Sequence, residues 1–118
     1  MFKLLLPALL LLTAAAPVAY DAPASGPAQS CLAQRQIDRV KPINERTVLF
    51  MMRGGRTFRN ELPVSCPAWA RGDTGYTHVS TQDRLCSGEV VQLFERGGGF
   101  QYGGCILGRF TPIASAAE

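Results

Sequence analysis

Between Ile37 and Leu62 the chain falls into three short runs, of which the outer two set apolar against polar positions with the period of two expected of strands that turn one face to a core. The runs are Ile37-Asp38-Arg39-Val40-Lys41-Pro42-Ile43, Arg46-Thr47-Val48-Leu49-Phe50-Met51-Met52-Arg53 and Arg56-Thr57-Phe58-Arg59-Asn60-Glu61-Leu62, separated by Asn44-Glu45 and Gly54-Gly55. Two short turns between three such runs predict a meander. The outer runs alternate, whereas Val48 to Met52 is apolar throughout, which predicts a middle strand covered on both faces or curved inside a small barrel. Gly54-Gly55 suits a two-residue type I′ turn, where both positions take positive φ. That turn would set Met51 opposite Phe58, Leu49 opposite Asn60 and Arg53 opposite Arg56. Pro42 and Pro63 fall at the ends of runs, where no ladder donor is missed.

After Leu62 the pattern lapses. Pro63 to Gly75 is rich in breakers and reads as a long connection with one short helical turn at Pro67 to Arg71. Two further strands are expected, Glu89 to Glu95 and Cys105 to Ile113, separated by Gly97-Gly98-Gly99 and Gly103-Gly104. The expected fold is mostly β, a small antiparallel roll or partly open barrel of about five strands, stapled by disulfides.

The N-terminus changes the picture by fixing a compartment. Met1-Phe2-Lys3 gives a positive start and Leu4 to Leu12 an apolar run, which fits the ~7–15 residues of a signal-peptide core and falls short of the ~20 that span a bilayer. Residues 1–19 therefore read as a signal peptide, with cleavage expected between Ala15 and Ala19. Residues 20–30 have almost no large apolar side chain and read as a flexible linker. A single β domain is expected over 31–113 and a disordered tail over 114–118. Export makes disulfides the expected fate of the four cysteines, Cys31, Cys66, Cys86 and Cys105. Of the three possible pairings, Cys66 with Cys86 would staple the ends of the long connection, and Cys31 with Cys105 would tie the first strand to the last. A zinc site on Cys66, Cys86, Cys105 and His78 competes, but no Cys-x-x-Cys knuckle supports it. No metal or cofactor is expected.

Candidate chemistry is sparse. His78, the sole histidine, lies near Ser80 and Asp83, and a small secreted hydrolase would use Ser80 as nucleophile, His78 as base and Asp83 as the orienting acid. Ser80 stands on no Gly-x-Ser-x-Gly elbow. Glu89 and Glu95 bracket one expected strand while Asp73 and Asp83 lie in a loop, with nothing in the spacing to bring two carboxylates together. Gly97-Gly98-Gly99 lacks the Gly-Lys-Ser/Thr ending of a phosphate loop. Twelve basic and nine acidic residues leave a net charge of +3, too weak a bias for a nucleic-acid role in an exported chain. Arg53, Arg56 and Arg59 nevertheless cluster on one hairpin, and with Trp69 of the long connection they are the expected partner-binding residues.

The order Cys31-Leu32, Thr47-Val48-Leu49-Phe50, Met52-Arg53-Gly54-Gly55, Arg59-Asn60-Glu61-Leu62-Pro63, Cys66-Pro67, Leu85-Cys86 and Cys105-x-Leu107-Gly108-x-Phe110 resembles a family of small exported proteobacterial proteins of unknown function. The Asn-x-Leu-Pro-x-x-Cys-Pro stretch is its most specific part, and Trp69 to Thr77 matches it poorly. The resemblance implies a periplasmic or secreted bacterial protein and brings no activity with it. The function expected is a non-enzymatic envelope module, monomeric and without a transmembrane segment once the signal is cleaved, that binds an envelope protein or an anionic polymer. An inhibitor of a secreted hydrolase is one form this could take, since a rigid, cross-linked loop loses little entropy on binding.

Overall fold

The computed structural model describes residues 21–72, 74–78 and 82–114, so the expected signal peptide and residues 115–118 of the expected tail lie outside the described residues. The fold is mostly β and antiparallel, as the sequence pattern predicts. Where that pattern marks about five strands, the described residues form nine, in three small sheets that do not close into a barrel. The first sheet has the order β2-β3-β4-β9, with β2 at Ile37–Pro42, β3 at Thr47–Met52, β4 at Thr57–Glu61 and β9 at Phe110–Ile113. The second has the order β5-β7-β8, with β5 at Thr74–Thr77, β7 at Val90–Glu95 and β8 at Gln101–Ile106. The third pairs β1, Cys31–Ala33, with β6, Arg84–Cys86. The helical turn expected after Cys66 is a 3₁₀ turn at Pro67–Arg71, and a second one occupies Gln34–Gln36.

The meander β2-β3-β4 forms, but its second turn corrects the expected register by one residue. Met52 donates its N–H to the Arg56 carbonyl and accepts from Gly55, so the loop is Arg53-Gly54-Gly55, with both glycines at positive φ. Three-residue hairpins of this kind absorb the extra residue as a bulge at a glycine. Phe50 then faces Phe58, and Val48 faces Asn60. The shift has a physical reason. It puts Phe50, Phe58 and Val48 on one buried face, where Phe50 meets Phe110 and Trp69 edge-on at centroid distances of 5.3 and 6.4 Å, the geometry aromatic rings prefer. The expected last strand is likewise two strands. Its first half, β8, pairs with β7, and its second half, β9, pairs with β4. The chain crosses from one sheet to the other at Leu107-Gly108-Arg109.

That crossing is clamped by a buried polar side chain. Asn60 is fully buried, donates from Nδ2 to the Gly108 carbonyl at 2.8 Å and accepts the Gly108 N–H on Oδ1 at 2.7 Å. A Cβ at residue 108 would collide with the Glu61 carbonyl oxygen, so glycine is required there for the approach itself.

Both disulfides form, with a pairing that corrects the expected one: Cys31 bonds to Cys86 and Cys66 to Cys105. Strand adjacency decides this. Antiparallel pairing of β1 with β6 sets Cys31 directly opposite Cys86 with Cα atoms 4.0 Å apart. The flanking bonds from Ser87 to Ser30 and from Gln34 to Asp83 make this a non-hydrogen-bonded position, where facing side chains come closest. Cys105, on the inner face of β8 opposite Val91, meets Cys66 at the mouth of the Pro67–Arg71 turn. This second bridge ties β8 to the connection that follows β4.

The described part of the expected linker is laid along the first sheet. Gln29 exchanges both backbone bonds with Phe110, Ser25 donates to Pro112, and Arg59 and Arg109 donate to the carbonyls of Ala22 and Ala28. This strip carries few apolar side chains of its own. Backbone pairing to β9, rather than side-chain burial, holds it there.

Candidate functional site

Two surface features gather polar groups that the fold does not use for packing. The first is the β3–β4 hairpin tip. Arg53 is anchored there by the 3₁₀ turn preceding β2: its backbone N–H donates to the Gln36 carbonyl at 2.8 Å and its Nε to the Arg35 carbonyl at 3.1 Å. The guanidinium of Arg56 lies 4.7 Å from the centre of the Phe58 ring, a cation–π placement. Clefts open on both sides of Arg56. One, of about 580 Å³, runs between Gly54-Gly55 and the Ser25 to Gln29 strip. The other, of about 230 Å³, has Leu32, Met52 and Phe58 in its wall together with Arg53.

Of the four residues expected to bind a partner, only Arg53 and Arg56 meet at this tip. Arg59 is on the other face of β4, donates from Nη1 to the Ala22 carbonyl and keeps Nε 3.4 Å from Glu61. Trp69 is a correction: at 1% exposure it belongs to the core, packed on Phe50 and Tyr76, because the 3₁₀ turn rolls its ring inward beneath the first sheet. Arg35 adds a further guanidinium beside the tip, held 2.8 Å from Asp83 in an exposed ion pair. Sequence reading missed Arg35 because it precedes the hairpin by a whole strand.

The second feature is a cleft of about 310 Å³ between β2 and β5, lined by Asp38, Arg39, Tyr76 and Arg96 above Ile37 and Trp69. Asp38 is the extra residue of a bulge in the β2–β3 pairing, between Ile37 opposite Met52 and Arg39 opposite Met51. Bulges of this kind re-aim side chains out of the regular pleat. Burial raises the pKa of the Tyr76 phenol above its ordinary 10.0, so the hydroxyl stays protonated and able to donate.

The residues expected to form a hydrolytic triad are placed as follows. Ser80 lies outside the described residues, as does Asp73. Asp83 pairs with Arg35, and the carboxylate facing His78 is Glu89, with Nε2 to Oε1 at 3.0 Å. His78 Nδ1 is 3.5 Å from Gln34 Oε1, and the imidazole side chain is 5% exposed. Glu89 Oε1 also accepts the Cys86 N–H at 2.8 Å. His78 and Glu89 therefore buttress the end of β6 beside the Cys31–Cys86 bridge. The signal for Glu89 was its position three residues after Cys86, where a side chain can fold back on the turn. Glu95 remains at the far end of β7.

No protein-family model, curated protein or solved structure matches the chain. With all four sulfurs in disulfides, the thiolates of the competing zinc reading are spent. No helix among the described residues is long and apolar enough to cross a membrane. Two disulfides fit an oxidising compartment outside the cytoplasm.

Proposed function

We propose that this protein is a non-enzymatic binding module of the bacterial envelope, periplasmic or secreted and monomeric, that captures an acidic envelope protein or anionic polymer with its β3–β4 hairpin tip. The observation that carries the reading is the fixed placement of two arginines. Arg53 is tied to the carbonyls of Arg35 and Gln36, and Arg56 is laid over Phe58, between two clefts. Guanidiniums held in place lose less entropy on binding than free ones. They also suit the flat, forked geometry of carboxylate and phosphate groups. The resemblance of the Asn60 to Pro67 stretch to exported proteobacterial proteins supports the same compartment. The hydrolase reading gains no such support, since Asp83 is engaged by Arg35 and His78 by Glu89.

The test is capture of a partner from an envelope fraction by the immobilised protein. Retention should weaken as salt rises from about 0.05 to about 0.5 M, because screening shortens the reach of the arginines. Changing Arg53 and Arg56 together to Glu should abolish it. Undiminished capture by that double variant would sink the proposal.

A further inference from the structure

We infer that the cleft between β2 and β5 is a second binding site, which takes the C-terminal end of a short extended peptide. The inference is independent of the hairpin tip and rests on the backbone first. β2 is the terminal strand of the four-stranded sheet and β5 the terminal strand of the three-stranded sheet, and both line the same cleft. Terminal strands present backbone donors and acceptors that no neighbouring strand consumes. A slot walled by two such edges is shaped for one more extended segment, the mode of recognition in which main-chain bonds supply affinity. At about 310 Å³, and with an extended rise of ~3.3 Å per residue, the slot suits roughly three residues.

The side chains specify which end of a peptide enters. Arg39 and Arg96 bring two guanidiniums to the cleft and Tyr76 a phenol, against the one carboxylate of Asp38. Arg96 spends its Nε on the Thr74 carbonyl at 3.3 Å. Neither Asp38 nor Arg39 makes a hydrogen bond or ion pair with a described side chain. Two cations and a protonated phenol form a receptor for a terminal carboxylate, since charge-assisted bonds from guanidinium are the stronger kind. Asp38, moved out of the ladder by the bulge, supplies the opposite charge for an ammonium group further along the ligand. Ile37 and Val40 provide apolar wall for small side chains.

Trp69, the only tryptophan in the chain, lies beneath this cleft and packs on Tyr76 at 6.0 Å, so its emission reports occupancy through the Tyr76 ring. The probe is tri-alanine with a free carboxylate, titrated into the purified protein with calorimetry in parallel. A saturable change in Trp69 emission is expected. Binding should weaken at least about tenfold for tri-alanine amide and for the double variant Arg39→Ala/Arg96→Ala, each of which removes the charge-assisted pair. Both arginines are exposed, so the variant should keep the circular dichroism of the parent. Arg53→Glu/Arg56→Glu should bind tri-alanine as the parent does, which separates this site from the hairpin tip. No saturable response up to about 10 mM, the limit of meaningful affinity for so small a ligand, overturns the inference. So does equal binding of the amide, or loss of binding in the hairpin variant.

Discussion

Asn60 is the single side chain on which the relation between the two larger sheets most depends. Its amide satisfies both the N–H and the C=O of Gly108, at the point where the chain leaves β8 for β9. An amide donates and accepts in the plane of a peptide without carrying charge, so it stands in for a missing strand neighbour. Truncation to alanine would leave the N–H and C=O of the half-buried Gly108 without their partner, each costing up to about 1–3 kcal/mol. We therefore expect Asn60→Ala to lower unfolding free energy by roughly 2–4 kcal/mol in urea titration, and Asn60→Asp to be nearly as damaging, because a carboxylate cannot donate to the Gly108 carbonyl. A loss below about 0.5 kcal/mol, the range of ordinary surface substitutions, would contradict this role. The same residue opens the stretch Asn60, Leu62, Pro63, Cys66, Pro67, while Gly108 lies in the stretch Cys105, Leu107, Gly108, Phe110. Leu62, Leu107 and Phe110 are core residues, and Cys66 bonds to Cys105. The two stretches are thus two halves of one structural joint.

At the scale of elements, the strip from Ala22 to Gln29 behaves as an irregular edge to the first sheet. Its bridges pair Ala24 with Ile113 and Gln29 with Phe110, and it continues the sheet beyond β9, beside the buried Ile113. A protein lacking residues 21–29 should remain folded, because the inner face with Phe50, Phe58 and Phe110 is untouched. It should nonetheless lose about 2–4 kcal/mol, the sum of several backbone bonds at roughly 1 kcal/mol each, and expose the Ile113 edge. Thermal unfolding of the shortened and full chains measures the difference, and identical midpoints would show the strip to be unimportant to stability. The hairpin illustrates the same scale. A loop longer by one residue, Arg53-Gly54-Gly55, decides which of two faces each side chain of β4 occupies, because strand side chains alternate with a period of two.

For the whole molecule the two disulfides have unequal settings. Cys66 and Cys105 are buried at 7% and 5% exposure, between the larger sheets, whereas Cys31 and Cys86 are half-buried on the small β1–β6 pair. Closing loops with separations of 39 and 55 residues, each bridge constrains the unfolded chain by about 4 kcal/mol. Access differs more than entropy does, and exchange needs a thiolate to reach the sulfur. Brief treatment of the folded protein with a mild thiol, followed by alkylation and peptide mapping, should label Cys31 and Cys86 well before Cys66 and Cys105. Labelling in the reverse order would mean that the joint between the sheets opens more readily than the β1–β6 pair.

The periodicity of Ile37 to Leu62 was sufficient to predict the meander, because alternation and turn residues are local properties, and Pro67 marked its 3₁₀ turn for the same reason. The four cysteines and the apolar N-terminal run likewise led to a disulfide-bonded chain. Which cysteines pair was not legible, since Cys31 meets Cys86 only once β1 and β6, about fifty residues apart, lie side by side. Nor was the fate of Trp69, whose exposure depends on Phe50 and Tyr76 closing around it, or the division of Cys105 to Ile113 between two sheets. At the candidate sites, Arg53 and Arg56 could be selected because a hairpin tip is a local feature. The cleft of Asp38, Arg39, Tyr76 and Arg96 could not, because its walls come from strands that share no turn. Sequence alone determined the strand class, the cross-linked character and the arginine tip. Tertiary structure decided every feature that depends on which distant segments become neighbours, since long-range contacts are fixed by the packing of the whole core and leave no periodic trace along the chain.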